Sequence, residues 1–372
     1  MSDYFNYQLH TAVSHWDRRT FLRYSRQIYG RDNRWTPPDA HYIHTLLNPA
    51  KQPHLARMQP RLHYFDGLRQ RNQQSVTTRP ALANFETPLV TNILLHDPRR
   101  HDRTAYLAYL HCTNNKAAFL AYQDNIIEGL VNRGIRRLLG PVSLLPQLGS
   151  GALVSHWQQQ PPQHTPYNPP YLPEVLARRM RPIAQATLFS CIVPTTALTN
   201  MPQHPAMLRP LNPAQLSGVL LPLLVMLCQN PAGFPTPDDL EAAYWQRWLG
   251  PQLRGWVAWI DEQPVGLVLL LPDLAARLRR FRGGRGMWGL GLTAVRHRTV
   301  SAGRVLLGGV HPAWRVQGIG RQLWQQTIQS AQAAGWQKIT IGPVWEGGTA
   351  VPFLHHHKAI TQQTYQLYER TF

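Results

Sequence analysis

Cysteine, lysine and long apolar runs are what this 372-residue chain has least of. Its three cysteines, Cys112, Cys191 and Cys228, are odd in number and widely spaced. That pattern excludes a disulfide framework and a cysteine-based metal site, and it favours a cytoplasmic setting. No apolar run reaches the length of a membrane span. The longest, Val219 to Cys228, contains Pro222 and reads as a buried helix. The opening residues, MSDYFNYQLHTAVSHWDRR, mix acidic and aromatic side chains and carry no signal-peptide core. The G-K-[ST] of nucleoside triphosphatases and the G-x-S-x-G nucleophile elbow are also absent, and Gly318-Ile319-Gly320 does not continue as the dinucleotide fingerprint G-x-G-x-x-G, since Leu323 stands where the third glycine would be.

Acidic residues are scarce too, at 19 against 38 Lys+Arg, which leaves a formal charge of +19. Such a balance raises nucleic acid as a partner. Against it, only four of the basic residues are lysine, and the arginines are dispersed in short groups such as Arg99-Arg100, Arg136-Arg137, Arg178-Arg179 and Arg277 to Arg285. A polyanionic cofactor or an acidic substrate surface accounts for the charge equally well, so nucleic acid is the disfavoured partner.

In chain order, residues 1–30 read as helical, and Trp35-Thr36-Pro37-Pro38 ends that helix. Polar Pro- and Gln-rich sequence follows to Thr78, with a loop over Gln70 to Thr78. Leu89 to Leu95 and Thr104 to Cys112 predict a hairpin, Ala117 to Arg133 a helix ended by Gly134, and Ile135 to Val142 a strand. Gly149 to Arg181 is proline-broken, with a helix resuming over Glu174 to Arg181. Ala186 to Val193 predicts a strand, and the low-charge turns from Pro194 to Pro205 mark a domain boundary. The expected domains are therefore 1–198 and 199–372.

The second half predicts a strand at Met207 to Leu211, helices over Asn212 to Cys228 and Thr236 to Leu249, and a hairpin of Trp256 to Ile260 with Val265 to Leu271. A basic helix from Pro272-Asp273 to Gly283-Gly284 and a Gly-rich stretch come next. The most informative stretch is Val305 to Gly335. An apolar strand stops at His311-Pro312, the loop Arg315-Val316-Gln317-Gly318-Ile319-Gly320 follows, and Leu323, Trp324, Thr327, Ile328 and Ala331 then recur at helical spacing. Glycines let backbone approach a ligand, and successive N–H groups at a helix start bind anions, so a diphosphate suits the loop. A strand at Lys338 to Ile341, a helix at Ala350 to Lys358 and a strand at Tyr365 to Tyr368 close the chain.

This strand, [Q/R]-x-x-G-x-[G/A] loop and helix resembles the acyl-CoA loop of the GNAT acetyltransferase superfamily. Ile28-Tyr29-x-x-Asp32-x-x-Trp35-x-Pro37-Pro38, Gly140-Pro141, Tyr167-Asn168-Pro169-Pro170-Tyr171, Pro264-Val265-Gly266, Leu271-Pro272-Asp273, Gly309-Val310-His311-Pro312 and Thr364 to Glu369 resemble signatures of a largely uncharacterised group of bacterial tandem GNAT-like proteins. The resemblance implies an α/β fold of tandem GNAT-like domains. Each would be a mixed, largely antiparallel twisted sheet flanked by helices, the N-terminal copy being degenerate because it lacks the glycine loop. It also implies acetyl-CoA or another acyl-CoA as co-substrate, and a small-molecule or peptide amine as acceptor. Two departures stand out. Val344-Trp345-Glu346-Gly347-Gly348 has Gly where the group carries Asn, and Phe353, Leu354 and His355 stand where many GNAT enzymes place a Tyr.

Acyl transfer to an amine needs a neutral amine, a polarised thioester carbonyl and a protonated leaving thiolate. The diphosphate would meet the N–H groups of Val316, Gln317, Gly318, Ile319, Gly320 and Arg321, beside Arg315, and the carbonyl an N–H near Gly309 or Val310. Gly308-Gly309 would also suit a simple β-bulge. Glu346 and His311 are the candidate bases, with an exposed turn carboxylate and a strand-end side chain as their plainer readings. Tyr365, Tyr368 and His355 are the candidate acids, with core packing as the plainer role for the tyrosines. Adjacent histidines on a helix diverge, so His355-His356-His357 is not read as a metal site. With no nucleophile elbow, direct transfer is favoured over an acyl-enzyme. The competing readings are a non-catalytic acyl-CoA sensor or scaffold and a basic nucleic-acid-binding protein.

Overall fold

The computed structural model describes residues 5–69, 86–195, 206–296 and 300–372. Its first half contains Phe5–Thr11 (β1), His15–Tyr29 (α1), Ala40–Leu46 (α2), Pro53–Arg57 (α3), Arg61–Arg69 (β2), Glu86–His96 (β3), Thr104–Cys112 (β4), Lys116–Val131 (α4), Arg137–Val142 (β5), Ala152–Leu153 (β6), Tyr171–Leu176 (α5) and Arg181–Ile192 (β7). Its second half contains Met207–Pro210 (β8), Leu221–Leu227 (α6), Asp239–Leu249 (α7), Arg254–Ile260 (β9), Gln263–Pro272 (β10), Ala275–Arg280 (α8), Trp288–Arg296 (α9), Ala302–Val310 (β11), Ile319–Ala333 (α10), Lys338–Trp345 (β12), Ala350–His356 (α11) and Ile360–Thr371 (β13).

The strands join in one sheet, ordered β1-β2-β3-β4-β5-β13-β7-β12-β11-β10-β9-β8, with β6 beside β13. Two pairs are parallel, β4–β5 and β11–β12. Each is linked by a helix, α4 and α10, as a parallel pair requires. The other pairs are antiparallel. The halves thus share a strand–helix–strand unit, and each unit's second strand contains Gly-Pro, at Gly140-Pro141 and Gly342-Pro343.

The last strand of each half crosses over. First-half β7 lies between β12 and β13, and second-half β13 lies between β5 and β7. Separate apolar clusters cover the two regions. Phe119, Tyr122, Ile126 and Leu130 of α4 pack with Leu107 and Leu138. Leu223 and Leu224 of α6 and Trp245 of α7 cover one face of the second half, with Leu145 and Leu148 reaching in from the first. Ile319, Leu323 and Ile328 of α10 cover the other face.

Several elements differ from the sequence expectations. Residues 5–11 form a strand paired with β2, and the helix starts at Ser14, whose side chain and Asp17 form a reciprocal capping box. Residues 61–69, in the stretch read as polar and irregular, are a strand between β1 and β3. The helix expected over 174–181 is α5, one turn earlier, and Arg181 already begins β7. The single helix expected over 212–228 is interrupted by Gly218 at φ +93°, leaving a 3-10 turn at Pro213–Gln215 before α6. Gly283 at φ +70° similarly ends the basic helix, and the Gly-rich stretch beyond it forms α9. The loop expected at 70–78 and the boundary at 198/199 lie outside the described residues. No described helix is long and apolar enough to cross a membrane.

Candidate functional site

The site is an opening in the sheet. The parallel pairing of β11 and β12 runs from Ala302↔Lys338 to Val305↔Ile341 and stops there. Beyond it β11 pairs only with β10, to Gly266↔Val310, while β12 passes through Gly342-Pro343 and pairs only with Thr187 and Ala186 of β7. Proline offers no N–H to a ladder, so the two arms separate. The register shift opposite Leu269/Leu270 leaves Leu306 as the extra residue. The bulge therefore lies at Leu306 rather than at Gly308-Gly309. Strand N–H and C=O groups alternate in direction, so along Leu306 to Val310 every second pair faces the opening. Gly308 is solvent-exposed although it lies on an interior strand. Gly309 has a packing reason to be glycine, since a Cβ there would come within 2.5 Å of Leu227.

The β11 arm runs directly into the glycine loop. His311 donates its N–H to Val265 O, and its Nδ1 accepts from Ala313 N at 3.2 Å, which sets a one-turn 3-10 helix. Arg315 turns its Nε back to Val310 O at 3.2 Å. Val316 sits at φ +60° and is fully exposed. A β-branched residue in that region is a backbone outlier, and such outliers gather where a segment holds a ligand. Gly318 is left-handed at φ +83°, and no side chain caps the helix it starts. The first N–H groups of a helix have no intrahelical acceptor, so those after Gly318 are available to an anion. Gly320 faces Phe353 and Val310 at ordinary contact distance. Arg315, Gln317 and Arg321 are exposed around the loop. Donors without acceptors, two guanidiniums and no nearby carboxylate on the loop suit a diphosphate.

The catalytic candidates fall into two groups. His311 follows the last residue of the β11 arm and Glu346 the last residue of the β12 arm, so they flank the opening from its two sides. Glu346 is exposed and held by its N–H on Gln185 O at 2.9 Å. His355, on α11, is exposed and edge-on to Phe189 at 5.3 Å. The tyrosines of β13 do not join them. Tyr365 is completely buried among Tyr29, Trp35, Leu153 and Tyr167, and its hydroxyl donates to Gln363 Oε1 at 3.0 Å. Burial pushes that phenol far above its ordinary pKa. Tyr368 packs in the α4 core, and burial raises its pKa as well. A strand central to the joined sheet has both faces covered, and this is what removes both side chains from solvent. Phe353 rests against Trp324 and His357 and offers no hydroxyl. Among the described residues no group of three His, Cys, Asp or Glu could hold a metal.

The first half has the opened pair without the loop. Thr113, Asn114 and Asn115 join β4 to α4, and the Asn115 side chain caps Ala118 N at 3.0 Å, so that helix start is already occupied. Beside the opening is a cavity of about 240 Å³ between the halves, lined by Trp35, Tyr109, His111, Leu145, Tyr167 and Trp248. Tyr167 thus lines a cleft between the halves, and none of the glycine-loop residues lines that cavity. Sequence reasoning missed Arg304. It is 1% exposed, and its guanidinium donates to Gly342 O at 3.2 and 2.7 Å, to Leu148 O at 3.2 Å and to Gln163 O. Burial lowers its pKa to about 10. The available signal was a lone arginine inside the apolar strand Ala302 to Val310.

A parallel pair that opens beyond a bulge, followed by a glycine loop and a helix, is the unit to compare with known proteins. Residues 225–350 match the model of the acetyltransferase (GNAT) family. The chain has the GNAT fold. No curated protein matches it. Among solved structures, a tandem GNAT protein from the clavulanic acid biosynthesis pathway aligns with a TM-score of 0.59 at 9% identity, covering 98% of each chain. A conserved protein of unknown function from Enterococcus faecalis V583, described as a probable N-acyltransferase, aligns at 0.56 and 7% identity, over 99% of this chain and 73% of that one. A GCN5-related N-acetyltransferase from Anabaena variabilis ATCC 29413 aligns at 0.51 and 10%, over 98% and 73%. Alignment across nearly the whole chain extends the GNAT likeness to both halves, a tandem arrangement. The family match spans the opening and its loop, so an acyl-CoA-using, acetyltransferase-like function follows at superfamily level.

Proposed function

We propose that this protein is an N-acyltransferase that moves an acyl group, most simply acetyl, directly from acyl-CoA to the amine of a small molecule or peptide. The observation that carries the reading is the opened β11–β12 pair leading into an uncapped, basic glycine loop. In this reading the domains are 1–198 and 199–372, the second being the acyl-CoA-binding one, and the protein works in the cytoplasm. The backbone N–H groups of Val316 to Arg321 hold the diphosphate, with Arg315 and Arg321 neutralising its charge. The thioester lies in the opening, where N–H groups of Gly309 or Val310 polarise its carbonyl.

Glu346 is the first choice of base, because it stands on the arm opposite the donors and is free to meet an incoming ammonium. His311 is second, since its Nδ1 is engaged by Ala313 N. The amine loses a proton to the base and attacks the carbonyl carbon. The C–S bond then breaks, and the thiolate takes a proton. His355 is the remaining titratable acid of the original set that is exposed. One observation favours the sensor alternative: Phe353 lacks a hydroxyl, and both candidate tyrosines are buried.

Calorimetry with acetyl-CoA tests the cofactor, and thiol release across an amine panel tests turnover. Gly318→Glu places a carboxylate at the diphosphate position on a left-handed backbone, and should reduce acetyl-CoA affinity by at least about a hundredfold. Retained affinity in the folded variant would remove the assignment. Tight binding with no thiol release from any amine would identify a sensor.

A further inference from the structure

Between β10 and β11 the chain inserts α8 and α9, and neither the acyl-CoA site nor the cleft accounts for their outer surface. The stretch Ala275 to Val300 contains seven arginines and no lysine, aspartate or glutamate. Arg277 and Arg279 turn inward, to Val295 O and to Thr36 Oγ1 with Pro161 O. Arg280, Arg282 and Arg285 are exposed. Met287 is 90%, Leu290 78% and Trp288 46% exposed, three large apolar side chains within four residues. Leu292 anchors the segment from beneath, and Gly283 and Gly284, both left-handed, turn the chain sharply between the arginines and the apolar residues. The Arg282 guanidinium lies 5.5 Å over the Trp288 ring, so charge and apolar surface share one edge.

We propose that this insertion is a docking surface for an anionic phospholipid membrane. A cationic rim around exposed Trp, Met and Leu matches the headgroup–acyl boundary, where the apolar side chains enter and the guanidiniums pair with lipid phosphates. Single-stranded nucleic acid would use the arginines and Trp288 but would give Met287 and Leu290 no role. Docking here leaves the chain peripheral, since no described helix can span a bilayer.

The full chain is floated with vesicles of phosphatidylcholine alone and of phosphatidylcholine mixed with phosphatidylglycerol. Binding is expected to the mixed vesicles and to weaken with salt. Arg280→Gln, Arg282→Gln and Arg285→Gln together should lower affinity roughly a hundredfold, from about fivefold per arginine. Met287→Ser, Trp288→Ser and Leu290→Ser together should remove the part of the binding that survives high salt. Thermal melts check folding, which these exposed positions should leave intact. No flotation of the parent chain would overturn the proposal. So would full vesicle binding by the apolar triple variant. Light scattering that shows a dimer lost in the apolar triple variant would name a second copy as the occupant instead. Binding of an oligonucleotide with no vesicle binding would name nucleic acid.

Discussion

Two buried charged residues set the residue-scale chemistry away from the opening, and both lie where the halves meet. Arg304 has only carbonyl partners, so its charge is solvated by peptide dipoles from both halves. Replacing it with Met removes a costly buried charge but leaves the carbonyls of Gly342, Leu148 and Gln163 without donors. Each orphaned acceptor costs about 1–3 kcal/mol, so Arg304→Met should destabilise by about 3 kcal/mol in urea unfolding. Arg304→Lys, with fewer donors in a less suitable geometry, should recover only part of that. Glu241 is the second case. With Asp97 and Asp238 it shares the guanidiniums of Arg57 and Arg99, three carboxylates against two cations. Burial, only partly offset by Arg99, raises its pKa to about 7, whereas Asp238, drawn down by Arg57, falls to about 2. A carboxyl whose folded pKa is raised stabilises the fold when protonated, and that contribution is lost as pH rises through 7. Glu241→Gln does not ionise, so between pH 4.5 and 8 it should gain about 2–3 kcal/mol relative to the parent chain. Urea titrations of both proteins at the two pH values measure the difference, and a constant gap would contradict the assignment.

At the scale of elements, the contrast between the two strand–helix–strand units shows what the sequence could reveal. In the second, the loop from His311 to Gly320 was legible because glycine spacing and the helical repeat after it are local patterns. In the first, the missing loop was legible for the same reason. Asn115→Ala removes the cap of α4 and should cost about 1 kcal/mol while leaving acetyl-CoA affinity unchanged, which calorimetry on the melted and native protein checks separately. What could not be read locally was pairing. Arg61 to Arg69 alternates weakly, and its strand character depends on β1 and β3 on either side. The burial of Tyr365 and Tyr368 follows from β5, β6 and β7 flanking β13, all first-half strands remote from it in sequence. Core packing was already the plainer role for these tyrosines, because residues three apart in a strand face opposite sides. Arg304 was missed because all its partners come from other elements.

At the scale of the molecule, the exchanged strands decide how the protein unfolds. A tandem protein with independent halves would melt in two steps, each half keeping its own sheet. Here β13 is hydrogen-bonded to β5 and β7, and β7 to β12, so neither half has a complete sheet without a strand of the other. Leu145 and Leu148 of the first half also fill the second-half core around Trp245, and Arg304 ties Gln163 and Leu148 to Gly342. Unfolding one half therefore exposes an edge strand and a core face of the other, which removes the intermediate that independent domains would populate. Calorimetry should give one transition whose van't Hoff and calorimetric enthalpies agree. Deleting Ile360 to Phe372 should destabilise both halves together, rather than only the one whose sequence it ends. Two resolved transitions in the parent chain, or a deletion variant with a first half of unchanged melting temperature, would mean that the shared strands do not couple the domains.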